Sequence, residues 1–337
     1  MTFLRRLLAV TLLALAPTAF AANRAAPTRP ASPDNATAYK GAIILDATSG
    51  RVLFEDRADE VSTPASMTKL MTFAVLDDKI KSGALTLTTP ITVTAADSKI
   101  GGTQVWLKEK EVFPVEELLY AMMIQSANDA AYALARTAAG SAEAFVELMN
   151  AKAHELGLTR TTFRTPHDLP PANRKIADGD LTTPRDFAVL SRYLLLKTDV
   201  LKYTSVRTRD FGPPVRLAPV VMNNHNHLLG KLAGVDGLKT GFTNGAGFCL
   251  ATTAQRNGRR VIVVLMGSPD SKVRDLKIAE FVERGFAALP VGSPAFAGEA
   301  ADSPVAAAPL PAKETKAAAP AADASPAIKF AIPPAKK

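Results

Sequence analysis

The sequence predicts an α+β fold: one antiparallel β-sheet with flanking helices and a mostly helical subdomain between its two sets of strands. Three observations carry this. Near the N-terminus, Gly41-Ala42-Ile43-Ile44-Leu45-Asp46 and Arg51-Val52-Leu53-Phe54-Glu55 are strand-like runs joined by the turn Thr48-Ser49-Gly50. Near the other end, residues 247–254 and 260–266 are apolar and β-branched, and Asn257-Gly258 between them is a strong hairpin signal. Between these hairpins, apolar residues recur mainly at helical spacing, so the strands of the two ends are expected to meet in one sheet backed by the helices.

Taken in order, residues 1–21 read as an export signal. Arg5 and Arg6 supply the positive start, residues 7–16 the apolar stretch, and Ala19-Phe20-Ala21 the small-x-small site for cleavage after Ala21. The apolar stretch is too short to span a bilayer, so the mature chain is expected in the periplasm or cell envelope with no strong membrane anchor. Residues 22–38, rich in Ala, Pro and Thr, form a flexible lead-in. The folded domain is placed at 39–289. A helix is expected from Ser66 to Lys81, with Pro64 just ahead of it and Leu70, Phe73, Ala74 and Ile80 on its apolar side. Residues 86–94 suggest a short strand, and Gly101-Gly102-Thr103 a loop. Trp106, the only tryptophan, is assigned to the core on its size.

A second helical stretch runs from Val115 to Gln125 and resumes at Ala130, interrupted by Ser126-Ala127-Asn128. Ser and Asn compete with the backbone for hydrogen bonds. The tripeptide is therefore either a connection that turns both side chains into a cleft or a plain N-cap at Asn128. Residues 141–156 form an amphipathic helix with Phe145, Leu148 and Met149 inward. Residues 161–181 form a loop carrying His167, and Thr183 caps a helix over 184–197. A polar run, Asn223-Asn224-His225-Asn226-His227, leads to Val235-Asp236-Gly237-Leu238-Lys239-Thr240-Gly241-Phe242-Thr243, and residues 270–289 make the closing helix. Nine of the 24 prolines lie in residues 290–337, which marks that segment as an Ala/Pro-rich disordered tail.

Composition narrows the function. A hydrophobic fraction of 47% over 337 residues is enough for a sizeable core. The net charge of +8 falls to +6 once Arg5 and Arg6 leave with the signal, and the remaining cations are interspersed with acids. No basic stripe interleaved with aromatics is present, so nucleic acid is not expected as a partner. The single cysteine, Cys249, lies in an apolar run and reads as a buried, inert thiol. Four histidines are too few and too scattered for a metal site: His225-x-His227 on a strand would face one side, but no matching ligand cluster accompanies it, and His154 reads as a boundary residue. No metal or cofactor is expected.

Chemistry is concentrated in three short motifs. Ser66 and Lys69 are three apart and share a helix face, a nucleophile beside a base whose usefulness depends on burial lowering its proton affinity. Alone, the pair could equally be a polar first-turn serine and a solvated lysine. Ser126 and Asn128 follow, and then Lys239-Thr240-Gly241. With all three lining one cleft, Lys69 and Ser126 can relay a proton from Ser66 to a leaving amine, and Asn128 can offer its amide to a substrate backbone. Lys239 and Thr240 can receive a carboxylate. Gly241 would let the strand approach the substrate, and the Phe242 N–H can join that of Ser66 in an oxyanion hole.

Pro64-Ala65-Ser66-Met67-Thr68-Lys69-Leu70-Met71-Thr72, Ile124-Gln125-Ser126-Ala127-Asn128-Asp129-Ala130 and the Val235 to Thr243 stretch together resemble the D-alanyl-D-alanine carboxypeptidases, the low-molecular-mass penicillin-binding proteins. Leu156-Gly157-Leu158-Thr159, Thr162-Phe163 and Pro166-His167 fit the same pattern. The resemblance covers residues 39–289 and implies a β-lactamase/transpeptidase-like fold. It implies a serine peptidase that removes the terminal D-Ala from peptidoglycan stem pentapeptides through an acyl-enzyme, and that β-lactam antibiotics trap covalently. By position, Ser66, Lys69 and Ser126 become catalytic, and Asn128, Lys239, Thr240, Gly241 and Phe242 bind substrate. His225 stands where some members carry an arginine for the substrate carboxylate. The β-rich second domain and amphipathic anchor of the best-known members have no counterpart after Leu289. Two alternatives remain: a D,D-endopeptidase cleaving crosslinks, and a non-catalytic penicillin-binding sensor or scaffold. A β-lactamase would need a glutamate in the loop after the second motif, and residues 157–181 contain none.

Overall fold

The computed structural model describes residues 38–173, 175–290 and 294–298. The export signal, the lead-in through residue 37 and the tail from residue 299 lie outside the described residues. The strands in chain order are β1 (Gly41–Asp46), β2 (Val52–Asp56), β3 (Pro90–Thr92), β4 (Val112–Pro114), β5 (Thr208–Phe211), β6 (Val220–Asn223), β7 (Val235–Thr243), β8 (Gly247–Arg256) and β9 (Arg259–Ser268). The helices are α1 (Lys69–Lys81), α2 (Val115–Tyr120), α3 (Asn128–Ala139), α4 (Ala142–Glu155), α5 (Pro184–Lys197), α6 (Val200–Thr204) and α7 (Ser271–Ala288).

Five strands make one antiparallel sheet in the order β2-β1-β9-β8-β7, so the N-terminal hairpin joins the C-terminal one through the β1–β9 pair. Asn257 and Gly258 both adopt positive φ, the geometry that a two-residue hairpin between β8 and β9 requires. Both faces of the sheet are covered. Ile43 and Leu45 of β1 belong to the cluster shared with the helical layer, whereas Ala42 and Ile44 pack with Ile278, Phe281 and Val282 of α7. This explains why β1 and β9 read as continuous apolar runs and not as an alternation.

Helix α1 runs through the helical layer. Every residue from Lys69 to Asp77 is buried, and the helix packs on α3, α4 and α5. Burying Leu70, Met71, Phe73 and Leu76 contributes about 1.5–3 kcal/mol for each side chain, which anchors the residues just ahead of them. Thr183 caps α5 as its sequence indicates, its side chain accepting the Asp186 N–H at 3.1 Å. Ser141 caps α4 in the same way.

Four expectations are corrected. The helix expected from Ser66 starts at Lys69, and Ala65–Thr68 forms a 3-10 turn ahead of it. The strand expected over 86–94 is only Pro90–Thr92. Residues 225–227 are not in a strand, because β6 ends at Asn223 and the Asn224 and Asn226 side chains hold a turn by accepting the Asn226 and Leu228 N–H groups. Trp106 is not core but 59% exposed. Its backbone has φ +53°, and the carboxylate of Asp129 binds the N–H groups of Val105 and Leu107 on either side, at 3.3 and 3.0 Å. Arg216 takes the Trp106 carbonyl at 2.9 Å, so the local backbone turns the indole outward. Within the span assigned to the tail, Phe296 is buried and its N–H donates to Gly258 O at 2.7 Å.

Candidate active site

The Ser66 turn is set by what lies on either side of it. Ala65 has φ +50°, a conformation that costs a residue with a side chain about 1–3 kcal/mol and persists where its surroundings over-determine it. Those surroundings are β7 and α1. A Cβ on Gly241 would lie 2.5 Å from Pro64 O and 3.0 Å from Ala65 Cβ, so the strand backbone presses directly on the turn. Contact with the Ser66 turn is by itself enough to require glycine at 241. The same contact brings the third motif beside the first.

Lys69 brings in the second. Its Nζ donates to Asn128 Oδ1 at 2.7 Å, His167 O at 3.1 Å and Ser66 Oγ at 3.3 Å. It is wholly buried, and burial lowers its pKa to about 7, with Asp168, Asp180 and Asp129 opposing the shift. All three contacts are to neutral oxygens. No carboxylate among the described residues touches the amine, so Lys69 can exist as a free base near neutrality and accept the Ser66 proton.

Ser126 is reached by a break in the helix. A π-helical turn over Ala121–Gln125 ends in Ser126 at φ 64°, ψ 31°, and α3 starts at Asn128. The interruption seen in sequence is thus a turn, and Asn128 is not a cap. The Ser126 Oγ is buried and meets no hydrogen-bond partner among the described residues. Asn128 uses its side chain inside the protein: Oδ1 receives Lys69 and Nδ2 donates to Gly101 O at 2.9 Å, while its N–H binds Thr103 O at 2.8 Å. Its visible work is to orient Lys69 and the 101–103 loop.

On β7, Lys239 is buried, and its Nζ donates to Thr240 O at 3.2 Å. Burial, with Lys69 and Arg274 nearby, holds its pKa well below the usual lysine value. Thr240 is buried beside it, and Phe242 is half exposed, its ring stacked on Phe248 at 4.2 Å between centroids. His225 lies within reach of the same charges; burial and Lys239 push its pKa down to about 4, so it is neutral at ordinary pH. A groove of about 680 Å³ adjoins the Ser66 turn, lined in part by Thr63, Asp168, Pro170, Ile176, Thr243 and Gly245.

Of three participants from the 161–181 loop, Asp168 and Asp180 had no sequence motif, and His167 lay in the Pro166-His167 match. His167 contributes its backbone carbonyl, not its ring, and burial pushes the ring's pKa down to about 3. Asp168 accepts Thr63 Oγ1 at 2.9 Å, and Asp180 accepts Thr68 Oγ1 at 2.8 Å. The buried aspartates in the 161–181 loop were the available signal, since a carboxylate in an apolar domain needs a nearby reason. Cys249 is buried as expected, and burial raises its thiol pKa to about 11.

A serine hydroxyl beside a buried lysine of lowered basicity, with a second buried serine two residues from the lysine's amide partner, has the make-up of a serine acyl-transfer enzyme with a lysine base. Comparison with known proteins narrows the class. Residues 26–270 match the peptidase S11 family, described as D-alanyl-D-alanine carboxypeptidase. The chain is 36% identical over 282 residues to the carboxypeptidase DacC of Escherichia coli K12, covering 82% of this chain and 66% of that one. It is 31% identical over 280 residues to DacF of Bacillus subtilis 168, covering 83% and 69%. Penicillin-binding protein D2 of Listeria monocytogenes, solved in its ampicillin-bound form, superposes with a TM-score of 0.65 at 29% identity, over 74% of this chain and 97% of that one. The chain belongs to the D-alanyl-D-alanine carboxypeptidase family of low-molecular-mass penicillin-binding proteins. It spans about two thirds of the length of these curated relatives.

Proposed function

We propose that the protein is a serine D,D-carboxypeptidase that removes the terminal D-Ala of peptidoglycan stem pentapeptides and is acylated by β-lactams. The observation that carries this is the 3.3 Å approach of Ser66 Oγ to a Lys69 amine whose hydrogen-bond partners among the described residues are all neutral. Lys69 takes the Ser66 proton as Oγ attacks the carbonyl carbon of the penultimate D-Ala. The oxyanion is received by the Ser66 and Phe242 N–H groups. The amide C–N bond then breaks, and Ser126, recharged from Lys69, passes a proton to the departing amine. Water attacks the resulting ester by the reverse sequence and frees Ser66. Lys239 and Thr240 receive the terminal carboxylate, whose negative charge favours protonation of Lys239. The stem peptide on the acyl side extends into the groove beside Thr63 and Thr243.

Export through residues 1–21 places this chemistry in the cell envelope. No helix among the described residues is long and apolar enough to cross a membrane. The test of the acyl-enzyme is intact mass after incubation with penicillin. One covalent adduct is expected on the native protein and none on Ser66→Ala; an adduct on Ser66→Ala would refute the assignment. Slow loss of the adduct is expected, because in the 161–181 loop Asp168 and Asp180 are engaged by Thr63 and Thr68, the exposed Asp178 accepts from Asn173, and no glutamate is present there to activate water.

A further inference from the structure

The groove beside the Ser66 turn carries its charge unevenly. Among the described residues, the charged side chains that line it are Asp168 and Lys175. Asp168 is buried, its carboxyl accepts Thr63 Oγ1 at 2.9 Å, and burial raises its pKa to about 8, so it brings little negative charge to the groove near neutrality. Lys175 is exposed, and its ammonium has no hydrogen-bond or ion-pair partner among the described residues. Its neighbour Asp178 accepts Asn173 Nδ2 at 2.7 Å, and Asn173 Oδ1 in turn receives the Lys175 N–H at 2.9 Å. The Asp178 N–H donates to Lys175 O at 3.1 Å, so Lys175 stands on a bonded turn. That turn lies against the connection between β7 and β8, where a Cβ on Gly245 would be 3.4 Å from Ile176 Cγ1. A second cation near the connection, Lys40, donates to Gly245 O at 3.1 Å and does not line the groove.

We propose that Lys175 is a specificity-determining residue that pairs with a carboxylate on the side chain preceding the penultimate D-Ala, so that the enzyme prefers stem peptides built on a diaminodicarboxylic acid to those built on lysine. The inference rests on the carboxypeptidase reading and on the acyl side of the stem entering this groove. With the carbonyl of the penultimate D-Ala at Ser66, an extended peptide advances about 3.5 Å for each residue, so the residue before that D-Ala is the first to bring a long side chain into the groove. In a lysine stem that side chain ends in an ammonium alone. In a diaminodicarboxylic stem it ends in an ammonium beside a carboxylate. Lys175 repels the first and finds a partner in the second. Pro170, Pro171 and Ile176 line the same groove and offer an apolar bed to the methylene chain common to both stems, so the terminal charge decides between them. An ion pair made by so exposed a lysine discriminates by about 5-fold at low salt.

The test measures release of D-Ala from two synthetic pentapeptides that differ only in the third residue, lysine or meso-diaminopimelate, by the native protein, Lys175→Ala, Lys175→Glu and Lys175→Arg. The native protein should favour the diaminopimelate stem about 5-fold in kcat/KM, through KM, and the preference should shrink between about 50 and 500 mM salt. Lys175→Ala should bring the two stems level, Lys175→Glu should reverse their order, and Lys175→Arg should keep the native preference. Equal kcat/KM on the two stems by the native protein would overturn the proposal, as would an undiminished preference in Lys175→Glu or a loss in Lys175→Ala confined to kcat and equal for both stems. Failure of the carboxypeptidase reading is separate, and shows as release of alanine from neither stem. The comparison is then read from how far each stem slows labelling of Ser66 by a fluorescent penicillin. The same preference and the same reversal are expected there, and their absence would overturn the proposal.

Discussion

Gly241→Ala is the substitution with the most specific structural consequence. The new methyl carbon would lie 2.5 Å from Pro64 O, 3.0 Å from Ala65 Cβ and 3.2 Å from Met67 N. A carbon–oxygen contact is ordinarily no closer than about 3.3 Å, so strand and turn must separate by about 0.8 Å. Neither side yields easily. Gly241 is laddered to Cys249 within the long β7–β8 pairing, and the turn is pinned through Thr63 to Asp168 and through Thr68 to Asp180. Overpacking of this kind costs about 1–3 kcal/mol, which for a domain of this size lowers Tm by about 2–12 °C. The larger effect is on rate. Displacing the Ser66 hydroxyl by nearly an ångström from Lys69, its proposed base, should slow acylation about 100-fold. Stopped-flow acylation by a fluorescent penicillin, with a melting curve on the same preparation, reads both. A variant that acylates at the native rate would refute the claim that β7 holds the Ser66 turn in place.

Other consequences follow from the same geometry. With burial lowering the Lys69 pKa to about 7 and its neutral form the proposed base, the acylation rate should climb as pH rises through about 7, and Lys69→Ala should lose at least about 100-fold at every pH. A rate independent of pH between 5 and 9 would contradict that base. His167 is buried neutral with its pKa near 3, against about 6.5 in the unfolded chain. The unfolded state therefore binds the extra proton between those values, and stability should fall with a slope approaching 1.4 kcal/mol per pH unit from this residue as pH drops below about 6.5. Urea unfolding of native protein and His167→Gln at pH 5 and 7.5 should show a smaller pH difference in the variant. Trp106→Ala should change stability by no more than about 0.5 kcal/mol, since the indole is largely in solvent, whereas a core tryptophan would cost about 3–5 kcal/mol.

How far each feature could be read from sequence depended on whether its cause was local. Asn257-Gly258 specifies its own hairpin, and Thr183-Pro184 its own helix start, so both stood out. That the strands of the two ends share one sheet followed because apolar, strand-like hairpins lie at both ends of the chain with mostly helical sequence between them; the strand order did not. The three catalytic motifs were legible as motifs, and the break at Ser126 was visible because Ser and Asn disrupt a helical run. What could not be read were effects imposed by distant residues. The 3-10 turn at Ala65 exists because β7 presses on it, and nothing in the Pro64 to Lys69 stretch announces that contact. Trp106 is turned outward by Asp129 and Arg216, which override its tendency to be buried. The engagement of Asn128 by Lys69 and Gly101 O, and of Asp168 and Asp180 by Thr63 and Thr68, depends on loops whose paths carry no periodicity.

The most direct test of the account is the digestion of purified muropeptides by the native protein and by Ser66→Ala, with products identified by mass. Release of a single alanine from pentapeptide stems, by the native protein alone, is the predicted result. Conversion of crosslinked dimers to monomers with pentapeptides left intact would instead identify an endopeptidase. An unchanged digest from a protein that still takes up penicillin at Ser66 would contradict the catalytic claim and leave a binding protein.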